Sequence, residues 1–136
     1  VIGDDRDRFL YHKTTHRGLY ERALAEARVR GADEAILINA RGQVTETTAG
    51  NLVVQTGSGR LITPPVSCGL LAGTLRDELL AAGRIEEGVV HTADLRSPSI
   101  VAYRINSVRR WVRLDIDPGA DRVGGDATAA HSDRQL

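Results

Sequence analysis

The chain has 136 residues, with 18 lysine and arginine residues balanced by 18 aspartate and glutamate residues. That length suits one domain with a real core and is too short for two. With no basic excess, nucleic acid is not an expected partner, and no apolar run is long enough to cross a membrane as a helix. The single cysteine, Cys68, excludes an internal disulfide. It points to a reducing compartment, so a cytoplasmic location is expected. No signal-peptide pattern is visible. The sequence starts at Val1 and holds no methionine, which reads as a piece of something longer.

Val1 to Arg8 is a charged lead-in. Phe9 to His12 predicts a short strand ending at Lys13, the one lysine among cations that are otherwise all arginine. Leu19, Ala23, Leu24 and Ala27 recur at helical spacing, so a helix is expected from Arg17 to Arg30, with Thr14, Thr15 and His16 able to cap it and Gly31 to stop it. Short strands are expected over Glu34 to Asn39, Val44 to Thr47, Asn51 to Thr56 and Arg60 to Thr63. Turn residues separate them, and Pro64-Pro65 ends the pairing. Gly73-Thr74 opens a second helix that runs to about Ala82. Glu87 to His91 predicts a strand, Thr92 to Arg96 a helical turn capped by Thr92, and Ile100 to Asn106 and Val108 to Leu114 two more strands. After Asp115 no periodic apolar face remains. Residues 1–114 are therefore expected to form the domain, strand-rich and of α/β (α+β) class, and 115–136 a tail weakly ordered or laid on the surface.

Lys13 is compatible with a solvated surface lysine and with a reactive one. A lysine amine loses its proton readily when buried, and it attacks carbonyls to form Schiff bases. If Lys13 carries an aldehyde cofactor such as pyridoxal 5'-phosphate, two further groups are required. The pyridine nitrogen needs an acidic partner, and the phosphate needs backbone donors such as a helix N-terminus. Glu46, at a strand end before a Gly-containing break, could be the first. Thr74 and Leu75, at a helix start, could supply the second, and Asn106-Ser107 could add a hydroxyl or an N–H. Taken singly, an ordinary strand-end carboxylate and an ordinary capped helix are the commoner readings of the first two, and Asn106-Ser107 is a small polar junction between strands. His12 and His16 flank Lys13, but without a nearby cysteine or acid they read as packing and capping residues rather than metal ligands.

Four ordered motifs turn these weak signals into a resemblance. They are His12-Lys13-Thr14-Thr15-His16-Arg17; Val44-Thr45-Glu46 with Gly50-Asn51-Leu52; Thr63-Pro64-Pro65 with Gly69-Leu70-Leu71-Ala72-Gly73-Thr74-Leu75-Arg76; and Ile105-Asn106-Ser107-Val108-Arg109. Over about Phe9 to Leu114 the chain resembles the class IV aminotransferase family, the fold-type IV pyridoxal phosphate enzymes. The resemblance implies the large C-terminal domain of a D-amino-acid aminotransferase-like fold. It implies Lys13 as the Schiff-base lysine, Glu46 as the partner of the pyridine nitrogen, Thr74 and Leu75 as phosphate contacts and Ser107 as a further one. Asn51 is expected to shape the turn after Glu46, and Arg17 to pair at the helix start.

Within the family, the Lys-Thr-x-x-Arg pattern with His16 is most similar to 4-amino-4-deoxychorismate lyase domains fused behind an aminodeoxychorismate synthase component. That implies a small-molecule substrate, a homodimer, and release of 4-aminobenzoate and pyruvate on the way to folate. Members carry an N-terminal domain to which nothing here corresponds. A class IV aminotransferase acting on branched-chain or D-amino acids is the alternative within the family, and a non-catalytic orphan domain is the alternative outside it.

Overall fold

The computed structural model describes residues 13–29, 31–32, 34–116, 122–123 and 127–133. Two helices, α1 (Lys13–Val29) and α2 (Thr74–Ala81), flank nine strands: β1 (Glu34–Ile38), β2 (Val44–Thr47), β3 (Gly50–Gln55), β4 (Leu61–Thr63), β5 (Glu86–Glu87), β6 (Val101–Asn106), β7 (Arg110–Ile116), β8 (Arg122–Val123) and β9 (Ala127–Asp133). The α+β class read from the sequence is the class observed.

Six of the strands close on themselves. β1 pairs β2, β2 pairs β3, β3 pairs β6, β6 pairs β7, β7 pairs β9, and β9 returns to β1, every pair antiparallel. One edge of β3 is divided: Gly50 and Asn51 pair β2, while Val54 and Gln55 pair β4. β4 and β5 therefore branch off the ring as a flap. Closure leaves the ring without exposed strand edges.

Strand alternation then assigns an inside and an outside. Ile36, Val44, Leu52, Val54, Ala102 and Leu114 pack together within the ring, joined by Val90 and Leu95. β1 and β6 lie opposite each other in the ring order. The buried pair Glu34–Arg104 spans that gap, with an N–O distance of 3.2 Å. Outside, Ala23 and Ala27 of α1 sit on Ala35 and Leu37 of β1, and small side chains at this contact let helix and strand approach closely. Leu75 and Leu79 of α2 pack on Val53 and Ile105. Tyr103 and Trp111 extend that layer edge to face, with ring centroids 5.5 Å apart.

Several elements differ from expectation. α1 starts at Lys13, so Lys13 to His16 form its first turn instead of a strand end and a cap. Neither proline nor glycine between Lys13 and Arg17 stops the helix there. The strand expected over Phe9 to His12 lies outside the described residues. β7 begins at Arg110, because the Asn106 side-chain oxygen takes the amides of Val108 and Arg109 and holds them in a turn. The strand expected over Glu87 to His91 shrinks to Glu86–Glu87, and the helical turn after it is led by His91, whose amide donates to the Asp94 carboxylate at 2.9 Å, and not by Thr92. After Asp115, where the sequence predicts a tail, residues 127–133 form β9 between β7 and β1. Main-chain pairing on both sides needs no apolar alternation, so the pattern gave no signal for it.

The Glu34–Arg104 pair generates a prediction. Breaking one side of a buried pair strands the other charge, so Glu34→Gln should cost about 3 kcal/mol in chemical denaturation. The paired replacement Glu34→Leu with Arg104→Met should recover most of that loss.

Candidate functional site

A single inserted residue sets the direction of Glu46. In the β1–β2 pairing Leu37 faces Glu46 but Ile38 faces Val44, so Thr45 is an extra residue in β2. Without this bulge Val44 and Glu46, two positions apart, would share one face. With it, Val44 enters the ring and Glu46 points outward, beside Leu37. The Thr45 hydroxyl donates to the Leu37 carbonyl at 3.1 Å and fixes the bulge.

Outside the ring Glu46 is nevertheless only 4% exposed. The Tyr20 hydroxyl of α1 donates to its Oε2, and the amide of Leu71 donates to the carboxylate as well. Burial pushes its pKa up to about 8, while the two donors pull the other way. The same burial, with the neighbouring carboxylate, raises the Tyr20 hydroxyl further above its ordinary value.

The cross-strand neighbour of Glu46 is Asn51. Its amide nitrogen donates to the Leu71 carbonyl at 2.8 Å, and its oxygen accepts the Gly73 amide at 2.9 Å. Asn51 thus holds the segment leading into α2, instead of shaping the turn after Glu46. That turn is built by Thr47, whose hydroxyl donates to the Gly50 carbonyl and accepts the Ala49 amide. Gly50 itself passes so close to β6 that a Cβ would lie 2.3 Å from the Ile105 carbonyl oxygen.

α2 begins next to Asn51. The Asp77 amide makes the first bond back to the Gly73 carbonyl, so the amides of Thr74, Leu75 and Arg76 lack intrahelical acceptors. Thr74 is exposed and presents both hydroxyl and amide. Leu75 buries its side chain in the layer beneath α2 and has only its amide to offer. Buried Arg76 anchors this turn, donating to the Pro64 carbonyl at 3.1 Å and to Glu87 at 2.6 Å. Ser107 is exposed in the turn after β6. Asn106 ties that turn to the Ala49 carbonyl at 2.9 Å.

Four of the five candidates therefore gather at one end of the ring's outer face. Glu46, Asn51 and Ile105 form a continuous cross-strand row; Thr74 and Leu75 start α2 against it, and Ser107 follows Ile105 by two residues. The fifth, Lys13, opens α1. It stands seven positions before Tyr20 in the helix, about 10 Å along the axis. Sequence reading gave Tyr20 no part in the site. Its spacing from Lys13 is the signal that would have found it.

The comparisons with known proteins agree with this architecture. The family model for amino-transferase class IV matches residues 2–115, and the chain belongs to that family, whose members use pyridoxal phosphate. A Schizosaccharomyces pombe protein, provisionally named an aminodeoxychorismate lyase, is 38% identical over 104 residues, covering 73% of this chain and 44% of that protein. A crystal structure from Mesorhizobium loti, provisionally named an amino-acid aminotransferase, is 42% identical with a TM-score of 0.66, over 71% of this chain and 46% of that one. A Legionella pneumophila structure, provisionally named a 4-amino-4-deoxychorismate lyase, is 28% identical with a TM-score of 0.61, over 67% and 35%. The chain thus spans less than half the length of these relatives.

The raised pKa of Glu46 makes stability depend on pH. In the folded, cofactor-free chain Glu46 holds its proton up to about pH 8, against an ordinary value of 4.5. Between those values the folded state binds more protons than the unfolded one, so stability falls as pH rises through that window. Glu46→Gln should flatten this slope. The difference between the two chains, followed by denaturation from pH 5 to 8.5, should reach the order of a few kcal/mol.

Proposed function

We propose that this chain is the cofactor-binding part of a pyridoxal phosphate-dependent 4-amino-4-deoxychorismate lyase. The observation that carries the cofactor reading is the buried Glu46 carboxylate set beside the start of α2. Its donors, Tyr20 and the Leu71 amide, are both neutral, and burial keeps it largely protonated near neutral pH. A protonated pyridine nitrogen is the cation that would draw it into the ionised form, so the residues present fit the cofactor. When bound, pyridoxal phosphate supplies an acceptor for the electrons released at the substrate carbon that carries the amino group.

Each residue then has a defined part. Lys13 would hold the cofactor through its amine and, when that amine is free, would take the proton from the substrate carbon. Glu46 holds the proton on the pyridine nitrogen, kept in line by Tyr20 and Leu71. The amides of Thr74 and Leu75, with the hydroxyls of Thr74 and Ser107, hold the phosphate. Loss of the proton lets the bond to the enolpyruvyl oxygen break. The product ring would be aromatic 4-aminobenzoate, and the proton taken by Lys13 would pass to the enolpyruvyl fragment, which leaves as pyruvate. A second copy of the chain and an N-terminal domain, both implied by the family resemblance, would complete the substrate pocket.

The lyase assignment rests on the motif around Lys13 and on the names of the S. pombe and L. pneumophila relatives. The name of the M. loti structure favours a second reading, amino-group transfer to a 2-oxo acid. A visible band that appears with added pyridoxal phosphate, is trapped on Lys13 by borohydride and is absent from Lys13→Ala is the expected result. A chain that gives no band refutes the cofactor reading and leaves a non-catalytic domain. Incubation with 4-amino-4-deoxychorismate should release 4-aminobenzoate and pyruvate in equal amounts. Transfer of the amino group to a 2-oxo acid without that release would move the assignment to an aminotransferase.

A further inference from the structure

Asn51 is 4% exposed, and its side-chain amide is committed to the segment leading into α2. It donates to the Leu71 carbonyl and accepts from the Gly73 amide, while its neighbour Glu46 accepts from the Leu71 amide. Two adjacent side chains on β2 and β3 thus bind three backbone groups of residues 71 and 73, much as another strand would. Gly73 is the residue that caps α2. A Cβ there would lie 2.8 Å from Asn51 Oδ1, so the bond depends on residue 73 having no side chain. By taking the Gly73 amide, Asn51 leaves those of Thr74, Leu75 and Arg76 as the open donors of the helix start.

We propose that Asn51 is a positioning residue that fixes the N-terminus of α2 relative to Glu46, so that one frame would hold both the ring and the phosphate of the cofactor. This deepens the pyridoxal phosphate reading and rests on it. The chemistry needs an amide. Aspartate at 51 could still accept from Gly73, but it has no donor for the Leu71 carbonyl and would set a second carboxylate beside Glu46. Asn51 touches no cofactor atom in this scheme. It acts through where it places the helix.

The consequence is selective, which separates positioning from general support. A residue that merely stabilises the fold affects every ligand alike. One that places the phosphate site matters for pyridoxal phosphate and little for pyridoxal, which shares the ring and aldehyde but lacks the phosphate.

The test measures both ligands by absorbance on the full chain, Asn51→Ala, Asn51→Asp and Gly73→Ala. Gly73→Ala breaks the same bond from the other side and leaves β3 untouched, so a folding defect of one variant does not decide the outcome. The natural chain should prefer pyridoxal phosphate. Asn51→Ala and Gly73→Ala should each erode that preference about tenfold, with pyridoxal binding changed far less and the double variant no worse than either alone. Asn51→Asp should fall with them. Equal losses for both ligands, or an unchanged preference, overturn the proposal. Amide hydrogen exchange on the cofactor-free chains gives an independent reading. Asn51→Ala should raise exchange at the Gly73 amide, which loses its acceptor, by more than within α2, and unchanged protection there also overturns it. If the natural chain binds neither ligand through Lys13, the cofactor reading is what has failed, and the exchange result still decides whether Asn51 holds the helix start.

Discussion

One inserted residue makes the outer face of the ring usable. A closed antiparallel ring allows each side chain only two directions, into a crowded interior or out toward the helices. The interior of this ring already holds its apolar layer and the Glu34–Arg104 pair. A second carboxylate turned inward from β2 would have found no room. Thr45 shifts the register of β2 against β1 by one residue, and Glu46 leaves the interior for the space between α1 and α2. The contacts of Glu46 with Tyr20 and Leu71, and the alignment with Asn51 and the start of α2, all follow from that shift. Bulges are enriched where a strand must re-aim one side chain, and this is such a case.

The two helices play unequal parts. α1 begins at Lys13 and, seven positions later, contributes the Tyr20 hydroxyl that bonds Glu46. α2 contributes main-chain amides alone at Leu75, whose side chain is consumed by packing. It is short, and it is held by side chains at both sides of its first turn: Asn51 through Gly73, and Arg76 through Pro64 and Glu87. Fixed backbone dipoles of this kind need no reorganisation when an anion arrives, which is the physical advantage of building such a site on a pinned helix start.

Much of this was legible in the sequence. Alternation and turn residues mark β1 to β4 and β6, and Gly73-Thr74 marks the start of α2, because local chemistry decides those features. The clustering of Glu46, Thr74 and Ser107 was accessible through the ordered motifs, though not through spacing alone. What stayed hidden depends on partners distant in sequence. The bulge at Thr45 is a property of two strands in register, and Val44-Thr45-Glu46 gives no sign of it. The role of Asn51 requires knowing that Gly73 lies against it. β9 has no apolar pattern, since a strand flanked on both edges is held chiefly by its main chain. Lys13 was placed at a strand end because Thr14, Thr15 and His16 read as caps, whereas they lie in the first turn of α1.

The position of β9 has a consequence for how the ring comes into being. β1 and β7 are separated by more than seventy residues and have no hydrogen bonds to each other; residues 127–133 are the bridge between them. Until that segment docks, two strand edges lie open and the ion pair inside the ring stands in a breached wall. A chain ending at residue 115 would retain every motif by which the family is recognised, yet it would present β1 and β7 as templates for a strand from another molecule. Folding is therefore set to finish late, with a contact of long sequence range, and slowly for a domain of this size. The segment with the least distinctive sequence is the one that covers the strand edges of β1 and β7.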